Sequence, residues 1–124
     1  MGPWFNLIAG GIAGTVSRYL LAGFVYQVFG ADFPYGTLVV NLIGCFLIGF
    51  LASLSEEKFL LSPSARLLLM VGFCGAFTTF STFMLETANL MKNGENLKAF
   101  MNVAASVVIG FLVFRLGVFF AEIL

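Results

Sequence analysis

Four long apolar stretches separated by short polar connections make up nearly the whole chain. They run from about Trp4 to Phe29, Tyr35 to Leu54, Leu67 to Met91 and Leu97 to Ala121. A helix needs about 20 predominantly apolar residues to cross the hydrocarbon core of a bilayer, and each stretch is long enough. The connections are Gly30-Ala31-Asp32-Phe33-Pro34, Ser55 to Arg66, and Lys92 to Asn96. Pro34 and Pro63 lie in or beside them, where a missing amide donor does least harm. The pattern predicts an all-α membrane protein, a single transmembrane domain over residues 1–124 with four spanning helices. The first stretch reads as a span and not as a signal peptide, because it lacks a basic leading region, carries Arg18 inside it and is too long.

The third stretch contains its own interruption. Gly72-Phe73-Cys74-Gly75-Ala76-Phe77-Thr78-Thr79-Phe80-Ser81-Thr82-Phe83 puts two glycines, then three threonines and a serine, among aromatic residues. That composition disfavours an unbroken helix. A break at membrane depth frees backbone carbonyls and amides, tolerated only when buried in protein or facing a watery or ionic site. Freed carbonyls suit a hard cation, and helix-end amides suit an anion.

Composition agrees with the pattern and removes whole classes of chemistry. The chain is 60% hydrophobic and 10% charged, with mean hydropathy +1.05, against about 25% charged residues in a soluble domain. The net charge is zero and there is no basic patch, so a nucleic-acid partner is not expected. There is no histidine, so metalloenzyme and Ser–His or Cys–His chemistry lack their usual parts, and an enzyme is not expected. Cys45 and Cys74 stand singly in apolar runs with no CxxC, and read as small packing residues.

Loop charges give little instruction about orientation. With four spans, the termini and the second loop share one side, which carries Lys58 and Arg66; the other side carries Lys92 and Lys98. Arg115, towards the end of the fourth helix, tips this balance only slightly. Orientation normally follows the Lys/Arg bias of short loops. A two-against-two count suits insertion in both orientations and an antiparallel dimer about a two-fold axis in the membrane plane.

Polar groups inside the spans are expensive and so are candidates for function. Arg18 lies deep in the first span, where it has three possible roles: pairing with Glu86, capping a helix C-terminus, or attracting an anion to a vestibule. Asn41 interrupts an apolar second helix, with Thr37 one turn earlier on the same face. Ser106 is an isolated hydroxyl in the fourth. Phe80 and Phe83 share a helix face at i, i+3, and a ring edge is electropositive; alone, such a pair also reads as ordinary packing. Glu86 leans towards that same face. Gly10 and Gly14 form a small-xxx-small step with Gly11 adding to it, and Gly44 and Gly49 do similar work in the second helix.

Taken together these places resemble one family. Gly10-Gly11-x-x-Gly14-Thr15-x-x-Arg18-Tyr19, the run from Gly36-Thr37 through Asn41 to Gly44-Cys45-Phe46-Leu47-x-Gly49, and the run from Gly72 to Phe83 are similar to the motifs of the Fluc (CrcB-type) fluoride channels of microbes, over essentially the whole chain. The resemblance implies a dual-topology antiparallel homodimer in the cell (inner) membrane, passive fluoride export protecting the cytoplasm, and two pores lined by both subunits. It implies that Asn41 is the pore donor and that Phe80 and Phe83 are the paired pore phenylalanines, with Thr37, Ser81, Thr82 and Ser106 on the polar route. Arg18 and Glu86 are then vestibular or structural charges. The carbonyls of Gly75 and Thr78 from both subunits are implied to hold a structural Na⁺. Two other readings share some features. A small dual-topology multidrug exporter has this size but uses a first-helix Glu, where this chain has Arg18. A non-transporting scaffold subunit needs neither Asn41 nor a polar break.

Overall fold

A computed structural model describes residues 2–124. Helix α1 runs Pro3–Phe29 and α2 runs Tyr35–Glu56. The third span is composite. It starts at α3 (Pro63–Arg66), continues through a π-helical stretch over Leu67–Cys74, and closes its first half with α4 (Gly75–Phe77). After two extended residues it resumes as α5 (Phe80–Lys92), and α6 spans Asn96–Glu122. The described residues are all helix and connection, and four of the helical units are long and apolar enough to cross a membrane. At about 1.5 Å per residue, the 27-residue α1 and α6 each reach about 40 Å, more than the roughly 30 Å of hydrocarbon.

The third span begins ahead of its apolar run because Ser62 caps it: the Ser62 hydroxyl accepts from the Ala65 amide at 3.1 Å, and Pro63 takes the first helical position, where its missing donor is harmless. The π-helical register that follows is the one element with no signature in the sequence. Its residues, Leu67 to Cys74, form a uniformly apolar run that reads equally well as α-helix.

Lipid offers apolar side chains no advantage in leaving it, so helices in a bilayer associate through close backbone contact. Glycine supplies that contact at two seams. Gly10 and Gly14 of α1 press on the π-helical stretch: a Cβ on Gly10 would collide with the Leu68 carbonyl, and one on Gly14 with the Phe73 carbonyl. The second seam joins α2 and α6, where Gly49 meets the carbonyl of Phe114 and Gly117 meets that of Phe46. Gly11 takes no part; a Cβ there would have nothing within 4 Å, so its expected share in the small-residue step is not found. The outer face of α1 repeats every fourth residue: Ile8, Ile12, Val16, Leu20 and Phe24 are all 50% exposed or more, an apolar stripe fit for lipid.

The ends of the spans fall on the sides the loop count assumes. Lys58 donates to the carbonyls of Glu122 and Leu124 at 3.2 and 3.3 Å, placing the second loop beside the C-terminus. Lys98 donates to the Asp32 carbonyl at 3.4 Å and lies 3.5 Å from Glu95, placing the third loop beside the first. Lys58 thereby meets the electronegative end of α6.

Substitution at the α1 seam tests this packing. Gly14→Ala is expected to lose about 1–3 kcal/mol, the usual penalty of overpacking, because the new methyl meets backbone that has no freedom to move. Gly11→Ala, facing open space, is expected to stay within about 0.5 kcal/mol of the parent. Thermal unfolding in detergent, followed by size-exclusion chromatography, compares the two; equal melting temperatures would contradict the seam.

Candidate functional site

The interruption of the third span is confined to Thr78 and Thr79, whose backbones are extended at φ −95°, ψ 158° and φ −148°, ψ 118°. Two residues of extended chain remove the normal i→i−4 partners of several carbonyls and amides. Side chains from three spans answer those groups.

From α2, Asn41 reaches the break with both halves of its amide. Its Nδ2 donates to the Thr79 carbonyl at 3.0 Å, and its Oδ1 accepts from the Thr79 amide at 2.8 Å. This two-bond pairing treats Thr79 as a neighbouring strand would. It also spends one of the two Nδ2 hydrogens and leaves the other free. One turn further along α2, Gly44 makes room for the Thr78 methyl, which a Cβ at Gly44 would strike. From α1, Arg18 Nε donates to the Ala76 carbonyl at 3.1 Å. Of the three roles open to Arg18 in the sequence, the bond it makes is the cap on the end of α4; no Arg18–Glu86 pair is present among the described residues. The threonines supply the rest. Thr78 Oγ1 donates back to the Cys74 carbonyl at 2.9 Å, and Thr79 Oγ1 caps α5 by accepting from the Thr82 amide at 3.2 Å.

Beside the break lies an open groove of about 420 Å³. Asn41, Ser106, Phe80, Phe83, Gly75 and Thr78 all contribute to it, together with the sulfur-bearing Cys45, Cys74 and Met70. The Ser106 hydroxyl is buried and has no hydrogen-bond partner among the described residues. Phe80 and Phe83 are tilted 57° to each other with ring centroids 5.9 Å apart. Their surroundings differ: Phe83 is 6% exposed and Phe80 73%. On Gly75, a Cβ would point into open space.

The structure does not gather every candidate there. Glu86 belongs to a second, polar hollow of about 360 Å³ near the first and third loops, with Tyr26, Asp32, Asn89 and Asn93. Tyr26 donates its phenolic hydrogen to Glu86 Oε2 at 2.9 Å, while Oε1 is buried without a partner among the described residues. Thr37 is buried and lines neither this hollow nor the groove. Ser81 and Thr82 follow the break on α5 but do not line the groove. Two polar residues unremarked in the sequence are joined here: Asn102 Nδ2 donates to Thr87 Oγ1 at 3.0 Å, and Thr87 Oγ1 donates to the Phe83 carbonyl at 2.8 Å. Their signal was present in the spacing, since Asn102 stands one turn before Ser106 on the same face of α6.

A direct test of the clamp uses Asn41→Leu, which keeps the volume and strands both Thr79 groups. Each unmade bond to a buried polar group costs about 1–3 kcal/mol, so the variant is expected to melt well below the parent and to show faster amide exchange at Thr79. An unchanged exchange rate there would rule out the clamp.

Comparison with known proteins adds a family. A family model described as "CrcB-like protein, Camphor Resistance (CrcB)" matches residues 5–118. A Chlorobaculum tepidum protein named fluoride-specific ion channel FluC is 50% identical over 115 residues, covering 93% of this chain and 90% of that protein. Proteins of the same name from Citrifermentans bemidjiense and Maridesulfovibrio salexigens are 52% identical over 98 residues and 43% identical over 111. They cover 79% of this chain and 79% of the relative, and 90% of this chain and 88% of the relative, respectively.

Proposed function

The chain belongs to the CrcB-like family, and from that premise we propose that it is a fluoride-selective channel giving passive fluoride export that protects the cytoplasm. The observation that carries this reading is the groove beside the break, where Asn41, Ser106, Phe80 and Phe83 converge. Its relatives' names point to fluoride, and the groove supplies what that ion requires. Fluoride is small and strongly hydrated, so a pore must replace its water with hydrogen-bond donors. The second Nδ2 hydrogen of Asn41 and the Ser106 hydroxyl are such donors, and the ring edges of Phe80 and Phe83 add a weaker positive field. No Lys, Arg or His lines the groove. Conduction needs both entry and release, and a fixed cation there would favour retention. Thr37, Ser81 and Thr82 extend the proposed route beyond the groove, with Glu86 and Arg18 as charges at its approach and its frame.

The working unit in this reading is an antiparallel homodimer inserted in both orientations in the inner membrane, with two pores. The even split of Lys and Arg between the two sides supports it, as does a groove left open with Phe80 outward. A structural Na⁺ belongs to the same proposal. What supports such an ion is backbone, not side chains: no cluster of three acidic, Cys or His side chains exists among the described residues, whereas Gly75 and Thr78 both line the groove at the break, with open space where a Gly75 side chain would stand. Oxygen ligands suit a hard cation. Those two carbonyls from each copy would hold the ion, and it would neutralise carbonyl dipoles where two breaks meet.

Purified protein in liposomes is expected to release fluoride far faster than chloride, read with ion-selective electrodes; equal rates would overturn the assignment. Phe80→Ile and Phe83→Ile keep apolar bulk and remove the ring quadrupole, so each is expected to cut flux strongly while the size-exclusion profile is unchanged. Near-normal flux in both would return the rings to plain packing. Adding two lysines to either set of loops is expected to force one orientation and lower activity, read by labelling a terminal tag from each side. A tag found on one side only in the unmodified protein would exclude dual topology.

A further inference from the structure

Breaking the third span creates a mechanical problem. Helix α5 carries both Phe80 and Phe83 yet is joined to the helix before it only through two extended residues. Its axial position therefore has to be set by its neighbours. Three hydrogen-bonded side-chain links reach the break or α5 from other spans: Asn41 to Thr79 at its start, Tyr26 to Glu86 midway, and Asn102 to Thr87 between them and the loop. The first two are part-buried; the third is buried throughout.

We propose that Asn102 and Thr87 are positioning residues for Phe83, holding its ring at a fixed distance from Ser106. The inference rests on the fluoride-route reading of Phe83 and goes beyond it, since neither residue lines the groove. Asn102 is 2% exposed, Thr87 9% and Phe83 6%. The polar chain runs Asn102 Nδ2 to Thr87 Oγ1 at 3.0 Å, then Thr87 Oγ1 to the Phe83 carbonyl at 2.8 Å. Each link uses its donor once, so the hydroxyl hydrogen is committed to α5 and its lone pair to α6. The carbonyl it grips is Phe83's own, which ties the residue bearing the ring to α6. On α6, Asn102 lies one turn before Ser106, a residue that lines the groove. One buried bond thus references the ring and the hydroxyl to the same stretch of α6. A helical slip of one residue along α5 would move Phe83 by about 1.5 Å and turn it by about 100°, and would leave the Asn102 amide unpaired.

A purely stabilising role is separable from a positioning role. Thr87→Val keeps the shape, strands the Asn102 amide and should both destabilise and impair. Thr87→Ser retains the hydroxyl and should be close to the parent. The deciding variant is Thr87→Val with Asn102→Leu, which removes both polar partners. Replacing both by apolar groups of similar shape is nearly neutral for stability, so its melting temperature should return towards the parent while the register stays unfixed. Fluoride efflux from liposomes is then expected to remain low by about tenfold, with a reduced preference for fluoride over chloride. If flux recovers along with the melting temperature, the pair is structural only and the proposal fails. A second readout does not need flux: 4-fluorophenylalanine placed at position 83 reports its surroundings by ¹⁹F NMR. Its resonance is expected to shift or split in the double variant and to stay put in Thr87→Ser; an unmoved resonance in the double variant overturns the proposal by itself. A parent protein that passes no fluoride would refute the channel assignment, and the ¹⁹F spectra would still decide the positioning role.

Discussion

In hydrocarbon, a backbone amide or carbonyl without a partner has no water to fall back on, and this constraint organises the molecule around Thr78 and Thr79. Opening the third span there releases polar groups at the worst depth. The Thr79 amide and carbonyl are both taken by Asn41, the Ala76 carbonyl by Arg18, and the Thr82 amide by the Thr79 hydroxyl. Because those partners come from α2, α1 and the break itself, the break dictates which spans must be adjacent. The glycines follow from that requirement. Arg18 reaches Ala76 only if α1 lies against the first half of the third span, which Gly10 and Gly14 allow. Asn41 reaches Thr79 only if α2 comes equally close, and Gly44 clears the Thr78 methyl from its way.

Satisfying the break also determines what remains for a passing ion. Arg18 has Nε engaged on a carbonyl, so part of its donor capacity serves the frame of the site. Asn41 commits one of its two N–H donors and its carbonyl oxygen to Thr79, and still presents one N–H. Ser106 keeps a hydroxyl with no hydrogen-bond partner among the described residues. The groove is thus furnished with neutral donors and ring edges, a weak and distributed positive lining. Such a lining matches the proposed conduction of a strongly hydrated anion, in which replacement of water has to be good enough to admit the ion and poor enough to let it leave.

How far the residues announced this arrangement depends on the kind of signal each feature leaves. The number of spans is written in apolar run length, and the position of the break in the sequence from Gly72 to Ser81, because small and hydroxyl-bearing residues there withdraw helix propensity locally. Asn41 stood out as an amide in an apolar helix, but its attachment to Thr79 depends on a partner 38 residues away and has no local signature. The π-helical turn was hidden for a different reason: Leu67 to Cys74 is apolar throughout, and a change of hydrogen-bond register alters no hydropathy. Asn102 and Thr87 went unremarked because each is a small polar residue with no local side-chain partner to mark it. Only the packing of α5 on α6 shows them as one buried chain. Gly11 resembled its neighbours Gly10 and Gly14 in type, while one residue of helical rotation turns it off their seam.

The contrast between Phe80 and Phe83 ties these threads to the proposed assembly. Two rings three residues apart on one helix would ordinarily share an environment, yet Phe83 is packed by its own chain and Phe80 stands 73% exposed. The Phe83 carbonyl accepts from Thr87, which accepts from Asn102, so the contacts of this residue come from within its own chain. Phe80 sits at the first residue of α5, next to the open flank of Gly75, where the chain provides no covering helix. In the proposed antiparallel dimer the two-fold axis would bring a second break to that flank, and each Phe80 would meet the other copy's surface. One ring fixed from within and one completed from outside would make a lane that exists only in the assembled pair, so that a lone chain in either orientation carries no open path through the membrane.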